Sequence, residues 1–285
     1  MSSETVEKVA FELSQKLQLA RRQHPGATDT ASSSSYKPSL CYPECEICGG
    51  IGYFKNPNAQ IGDPDFGKIE TCPNAIRLNL ERQLASGCLD PRIGLTAGEI
   101  PKLKWELIRD GLSDGHKARD AVMVGYAKGY GIVFLYGKSG QAKTLALKIG
   151  VATAFRDGKR SAYANMLSIL DDIRSAFDEK ENRQTELLRR MDWWNSLDVL
   201  AIDELDKINS TEWARERMFQ LIDLRYQRAI RQEALTIIAA NIENTDELDP
   251  YLRSRLEDNR FTECGMVVRL EGVDGRKMVP ENWKF

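Results

Sequence analysis

No apolar run in this chain reaches the roughly 18–20 residues that a membrane-spanning helix needs. Met1–Ala20 lacks the apolar centre of a signal peptide and mixes acidic with basic residues. Net charge is also lacking: 40 Lys and Arg stand against 42 Asp and Glu, a balance of -2. No global basic field therefore marks a nucleic-acid binder, and any such contact needs a local patch or converging subunits. Internal repeats are missing. Cysteine is scarce, with 6 in 285 residues. These absences lead to the expectation of a cytoplasmic protein with no membrane partner. In that compartment thiols stay reduced, and clustered cysteines serve as metal ligands more readily than as disulfides.

What is present divides into four stretches. Residues 4–22 place Val6, Val9, Ala10, Leu13, Leu17 and Ala20 at helical spacing, so 1–23 reads as an amphipathic helix suited to docking a partner or capping its own domain. Residues 24–40 are rich in Ser, Thr and Pro and read as a linker. Residues 41–90 read as a small Cys-rich domain with a following helix, and 91–285 as a large globular domain. In the last, Ile132–Tyr136, Ser161–Ala164, Leu197–Ile202, Leu235–Ala240 and Met266–Leu270 read as strands, with helices expected over 143–157, 165–178 and 212–231. Apolar strands alternating with helices predict an α/β fold, a mostly parallel sheet flanked by helices.

The first of these strands runs straight into Gly137, Lys138, Ser139, Gly140, Gln141, Ala142, Lys143 and Thr144, and a helix-compatible run follows. Strand, Gly-rich loop, Lys-Thr and helix is the order a phosphate loop needs: backbone N–H groups wrap phosphates and the helix N-terminus adds its positive end. Lys143 reaches terminal phosphates and the Thr144 hydroxyl ligates Mg²⁺. One position departs from the pattern, since Ala142 stands where a Gly is asked for. A positive φ there would cost on the order of 1–2 kcal/mol. A second strand, Leu197–Ile202, ends in Asp203-Glu204, an Asp to hold Mg²⁺ and a Glu to activate water. A third, Leu235–Ala240, ends in Asn241, which either faces a γ-phosphate or starts a turn.

The run from Ile132 to Leu270 resembles the AAA+ helicase-loader family, the DnaC-like and IstB-like ATP-binding proteins of bacteria, phages and mobile elements. The resemblance rests on the phosphate loop, Leu197–Glu204, Glu212–Tyr226, the strand ending in Asn241, and Leu248–Leu256. It implies ATP and Mg²⁺ as cofactors and an intersubunit site in a ring or spiral. Lys143, Asp203, Glu204 and Asn241 would work there in cis. Arg255, with Arg253 as second choice, would be an arginine finger acting in trans. It also implies a replicative helicase and single-stranded DNA as partners, and no C-terminal lid, because only fifteen residues follow Leu270. Two alternatives stay open: a transposition helper ATPase, and a nucleotide-binding adaptor whose turnover Ala142 has damped.

Cys41, Cys45 and Cys48, followed by Cys72, form a thiolate set for a closed tetrahedral Zn²⁺ site, with an Fe–S cluster or plain thiols as the competing readings. The stretch also resembles the N-terminal zinc domain of some helicase loaders. Those relatives usually carry Cys-x-Cys in the second half. Asn74 occupies the second Cys position here, so Cys41 is the expected replacement. Cys88 and Cys264 have no partners at ligand spacing. Arg215, Arg217, Arg225, Arg228 and Arg231 on the helix expected at 212–231 read either as a DNA-facing row or as a solvated face with ion pairs. Lys207 is a weaker DNA candidate. Trp193-Trp194 reads as a buried anchor in preference to a base-stacking pair.

Overall fold

A computed structural model describes residues 40–55, 67–108, 114–178, 182–207, 211–272 and 274. The expected helix at 1–23, nearly all of the linker and the chain beyond 274 lie outside the described residues. The chain divides into two compact units, Met1–Ala75 and Ile76–Phe285.

In the first unit, β1 (Tyr53–Lys55) pairs antiparallel with β2 (Ile69–Thr71), with Tyr53 opposite Thr71. Its buried cluster consists of Cys41, Cys45, Cys48, Cys72 and Ala75, with Phe54 packed against it. Among the described residues of this unit, four thiols and one methyl group supply almost no hydrophobic stabilisation, so this part of the chain needs another source of folding energy. The helix α1 (Pro73–Ser86) follows β2.

In the second unit, α2 (Gly115–Lys128) precedes β3 (Gly131–Gly137), α3 (Lys143–Arg156), β4 (Ser161–Asn165), α4 (Met166–Arg174), α5 (Arg183–Ser196), β5 (Val199–Asp203), α6 (Glu212–Ile230), β6 (Leu235–Ala240), α7 (Pro250–Leu256), α8 (Asn259–Thr262) and β7 (Val267–Leu270). The sheet order is β4-β5-β6-β3-β7 and every pairing is parallel. Each residue of β5 and β6 is buried, as central parallel strands covered on both faces require. The helix α3 packs with α2, and α4, α5 and α6 pack with one another, two helical layers that cover the two faces of the sheet. The expected helix 165–178 is an α-helix to Arg174 finished by a 3-10 turn, Ser175–Asp178.

Several elements stop or start where the local chemistry dictates. Gly129 closes α2 in the left-handed conformation. Asn165 caps α4 by accepting from the Ser168 N–H at 2.7 Å, and Thr211 caps α6 through Ala214. After β3 the chain crosses toward β4, whereas after β6 it crosses the other way toward β7. The crevice at the carboxyl ends of β3 and β6 is thus a topological switch point, where ligands bind in open α/β sheets.

Candidate nucleotide and metal sites

The phosphate loop leaves β3 at Gly137 and enters α3 at Lys143. Gly137 has φ 137°, and a Cβ there would lie 2.1 Å from the Leu270 carbonyl oxygen, so only glycine fits. Gly140, at φ 83°, is pressed against Asp274, whose carboxylate oxygen would stand 1.8 Å from an added Cβ. Ala142 adopts φ 58° and ψ 16° as the residue preceding α3. The positive φ anticipated from the missing Gly is therefore present, and Ala142 carries the left-handed strain itself.

Lys143 is buried, and its Nζ donates to the Gly137 and Lys138 carbonyl oxygens at 2.6 and 2.8 Å, which curls the loop around the ammonium. Gln141 is buried as well. Its Oε1 accepts from the Asp114 N–H at 3.1 Å and its amide donates to the Gly272 carbonyl oxygen. The Asp114 carboxylate in turn accepts from the Glu271 and Gly272 N–H groups at 2.8 and 3.2 Å and pairs with Lys117. The loop is thus tied to the start of α2 and to the chain leaving β7. Nothing in the spacing of Asp114 marks it for that role.

Asp203, at the end of β5, is buried. Its Oδ2 accepts from the Thr144 hydroxyl at 2.7 Å and from the Tyr163 hydroxyl at 3.0 Å, and its Oδ1 accepts from the Glu204 N–H at 2.9 Å. Burial, then the Asp203 charge, pushes the Tyr163 phenol upward, so it stays a proton donor. The sequence reading overlooks Tyr163, because an aromatic within a short apolar strand is indistinguishable from core. Glu204 has φ 52°, and its carboxylate pairs with Lys207, whose ammonium is pushed upward by that hydrogen bond. Asn241 follows Ala240, which pairs with Tyr136, so it stands alongside Gly137 at the strand ends; its N–H donates to Asp206 Oδ1 at 2.7 Å. Hydroxyl, carboxylate and ammonium at the head of a helix suit an Mg²⁺-bound polyphosphate, with Thr144 and Asp203 the groups to hold the ion.

Arg255 lies on α7, paired with Asp223 at 2.8 Å and stacked 3.5 Å over the Tyr251 ring of the same chain. Arg253 pairs with Asp246 and Glu257. The DNA-facing reading of α6 needs correction at Arg225. Its side chain is fully buried and donates to Thr236 Oγ1 and to the carbonyls of Asn195, Leu197 and Leu235 at 2.6–2.9 Å. Burial, helped by the Arg228 charge, pushes it down to about 9. Arg228 joins the same Asn195 and Leu197 carbonyls. Arg215 pairs with Asp249 and Arg231 with Glu233, while Arg217 bonds Gln220 and Glu216. This face is therefore ion-paired and partly structural. Trp194 is the buried anchor, with its indole N–H on Asp172 at 2.8 Å, and Trp193 stands edge-on to it.

In the first unit the four sulfurs of Cys41, Cys45, Cys48 and Cys72 all lie within 4.8 Å of one another, and Cys45 and Cys72 are 3.7 Å apart. Tetrahedral Zn²⁺ with Zn–S near 2.3 Å sets sulfurs about 3.8 Å apart. All four thiols are buried. The Asn74 amide donates to Cys45 at 3.3 Å and the Gly52 N–H to Cys48 at 3.4 Å, hydrogen bonds of the kind that hold metal-bound thiolates. The Asn74 bond is the main reason Cys45 is lowered to about 6, while burial pushes Cys41 up to about 12. The donor set fits a thiolate-bound metal such as zinc. Cys88 is exposed and Cys264 receives the Lys128 ammonium, so neither joins the cluster.

Residues 133–263 match the family described as "ATPase family associated with various cellular activities (AAA)". Among solved structures, the chain is similar to a DNA replication initiation factor at 19% identity and TM-score 0.48, covering 60% of this chain and 50% of that one. It is similar to AMPPCP-bound DnaA from Aquifex aeolicus at 20% identity and TM-score 0.47, with the same coverage. It is also similar to the DnaC helicase loader at 17% identity and TM-score 0.36, covering 72% of this chain and 92% of that one. The chain spans about half the length of the first two. No curated protein matches it.

Proposed function

We propose that this chain, whose residues 133–263 are an AAA domain, binds ATP and Mg²⁺, hydrolyses ATP between subunits of a ring or spiral, and loads a replicative helicase onto single-stranded DNA. The observation that carries the ATPase reading is the Thr144–Asp203 contact, which joins the head of the phosphate-loop helix to a carboxylate two strands away. In this reading Lys143 leaves the loop carbonyls for phosphate oxygens. Thr144 and Asp203 hold Mg²⁺, which neutralises charge on the phosphates. Glu204 accepts a proton from the attacking water, Asn241 orients that water, and Arg255 serves a neighbouring copy's site. That last role requires Arg255 to leave Asp223 and Tyr251.

The loader reading rests on the resemblance in Leu197–Glu204, Glu212–Tyr226 and Leu248–Leu256, and on the Cys-rich unit. That unit exposes Leu40, Ile47, Ile51, Tyr53 and Ile69 among the described residues, with Ile51 64% and Ile69 66% accessible. Apolar side chains displayed in such density on so small a unit suit a protein partner, and the helicase is the partner we assign. Among the described residues no helix is long and apolar enough to cross a membrane.

Two observations favour a second reading. The strain at Ala142 and the Lys207 grip on Glu204 both suit a nucleotide-binding adaptor with little turnover. Steady-state hydrolysis with and without single-stranded DNA separates the two, since tight ATP binding with no turnover excludes the enzyme. Capture of partners by the full chain separates loading from transposition: recovery of a replicative helicase supports the loader, and recovery of a transposase replaces it.

A further inference from the structure

Asp203 Oδ2 is shared by two hydroxyls that come from different elements. Thr144 belongs to the first turn of α3, whereas Tyr163 belongs to β4, the strand paired with β5 through Tyr163–Ala201 and Asn165–Asp203. The phenol is held in place from several directions. Its ring is half-buried with the Lys148 ammonium 5.2 Å from the centroid. Its own carbonyl oxygen lies so close to Gly94 that an added Cβ there would stand 1.7 Å away. Tyr163 is thus a donor built on the sheet, while Thr144 is a donor on the element that meets the phosphates.

The proposed function commits the Thr144 hydroxyl to Mg²⁺, and the present inference rests on that reading. With Thr144 given over to the ion, the Glu204 N–H still holds Oδ1, and Tyr163 is the side-chain donor left on Oδ2. We infer that Tyr163 is a positioning residue of the metal site: its hydroxyl keeps the Asp203 carboxylate in the orientation that holds Mg²⁺, independently of Thr144. A phenol suits this task because it donates one hydrogen bond from a fixed ring and carries no charge that would compete with the ion.

The test compares the full chain with its Tyr163→Phe variant, which removes one oxygen and leaves the ring. ATP affinity is measured in Mg²⁺ and in EDTA, together with Tm. The expected result is that the gain in affinity conferred by Mg²⁺ shrinks about tenfold, the scale of one hydrogen bond to a charged acceptor, while the affinity in EDTA stays at the parent value and Tm falls no further than the loss of that one bond requires. An unchanged or enlarged Mg²⁺ gain overturns the inference, as does a fall in both affinities with a lower Tm, which would make Tyr163 merely structural. A parent protein that gains no affinity from Mg²⁺ overturns the proposed function itself, an outcome distinct from either.

Discussion

The Thr144 hydroxyl donates to Asp203 Oδ2 across 2.7 Å, joining the helix that follows β3 to the end of β5 with β6 lying between the two strands. Fifty-nine residues of sequence separate the two groups, and the sheet order alone brings them together. That contact makes the loop and the acidic strand end a single site, and the expectations below follow from it and from the thiol cluster.

Ala142 sits at φ 58° in a conformation that costs an L-residue roughly 1–2 kcal/mol, and glycine returns part of that saving as chain entropy. Ala142→Gly is expected to stabilise the protein by about 1 kcal/mol, read as a higher Tm, and to leave ATP affinity near the parent value. A lower Tm would show that neighbouring contacts of the methyl group outweigh the backbone strain.

Among the described residues of its unit the thiol cluster is nearly the whole buried core, so metal and local fold should be lost together. Metal analysis of the full chain is expected to give one zinc per molecule. Iron in its place would contradict the assignment. The ligands bind as thiolates, so protons compete with the metal, and zinc is retained at neutral pH and released in acid.

Much of this architecture was legible in the chain. All five sheet strands were expected within two residues of their observed ends, because central parallel strands are uninterrupted apolar runs. The phosphate loop and Asp203-Glu204 announced themselves through strand ends followed by polar residues. The helices α2 and α5 were not anticipated. The α2 segment is framed and interrupted by glycines, and Arg183–Ser196 buries only Met191 and Trp194, too few positions to show a period. Arg225 was misread for a related reason. An arginine among other arginines looks solvated, and only the fold shows that four acceptors replace its water.

Because Arg225 bridges the ends of β5 and β6 from within the core, Arg225→Met takes the guanidinium donor from the Leu235 carbonyl and the Thr236 hydroxyl and leaves the Asn195 and Leu197 carbonyls to Arg228 alone. Destabilisation of about 3 kcal/mol is expected in a denaturant titration. DNA affinity of the protein that remains folded should be unchanged. A selective loss of DNA binding at unchanged stability would restore the DNA-facing reading of α6.

Ile47 and Ile51 are exposed on the Cys-rich unit and lie outside its buried cluster. Replacing both by Asp is expected to abolish helicase capture while zinc content and ATP binding persist. Undiminished capture would remove this surface from the proposed interface.

The most direct test of the central claim is single-site turnover by Glu204→Gln. The account predicts that Mg²⁺-dependent ATP binding persists and hydrolysis falls by about 10²-fold or more, the scale of a lost general base. Hydrolysis at the parent rate would contradict it.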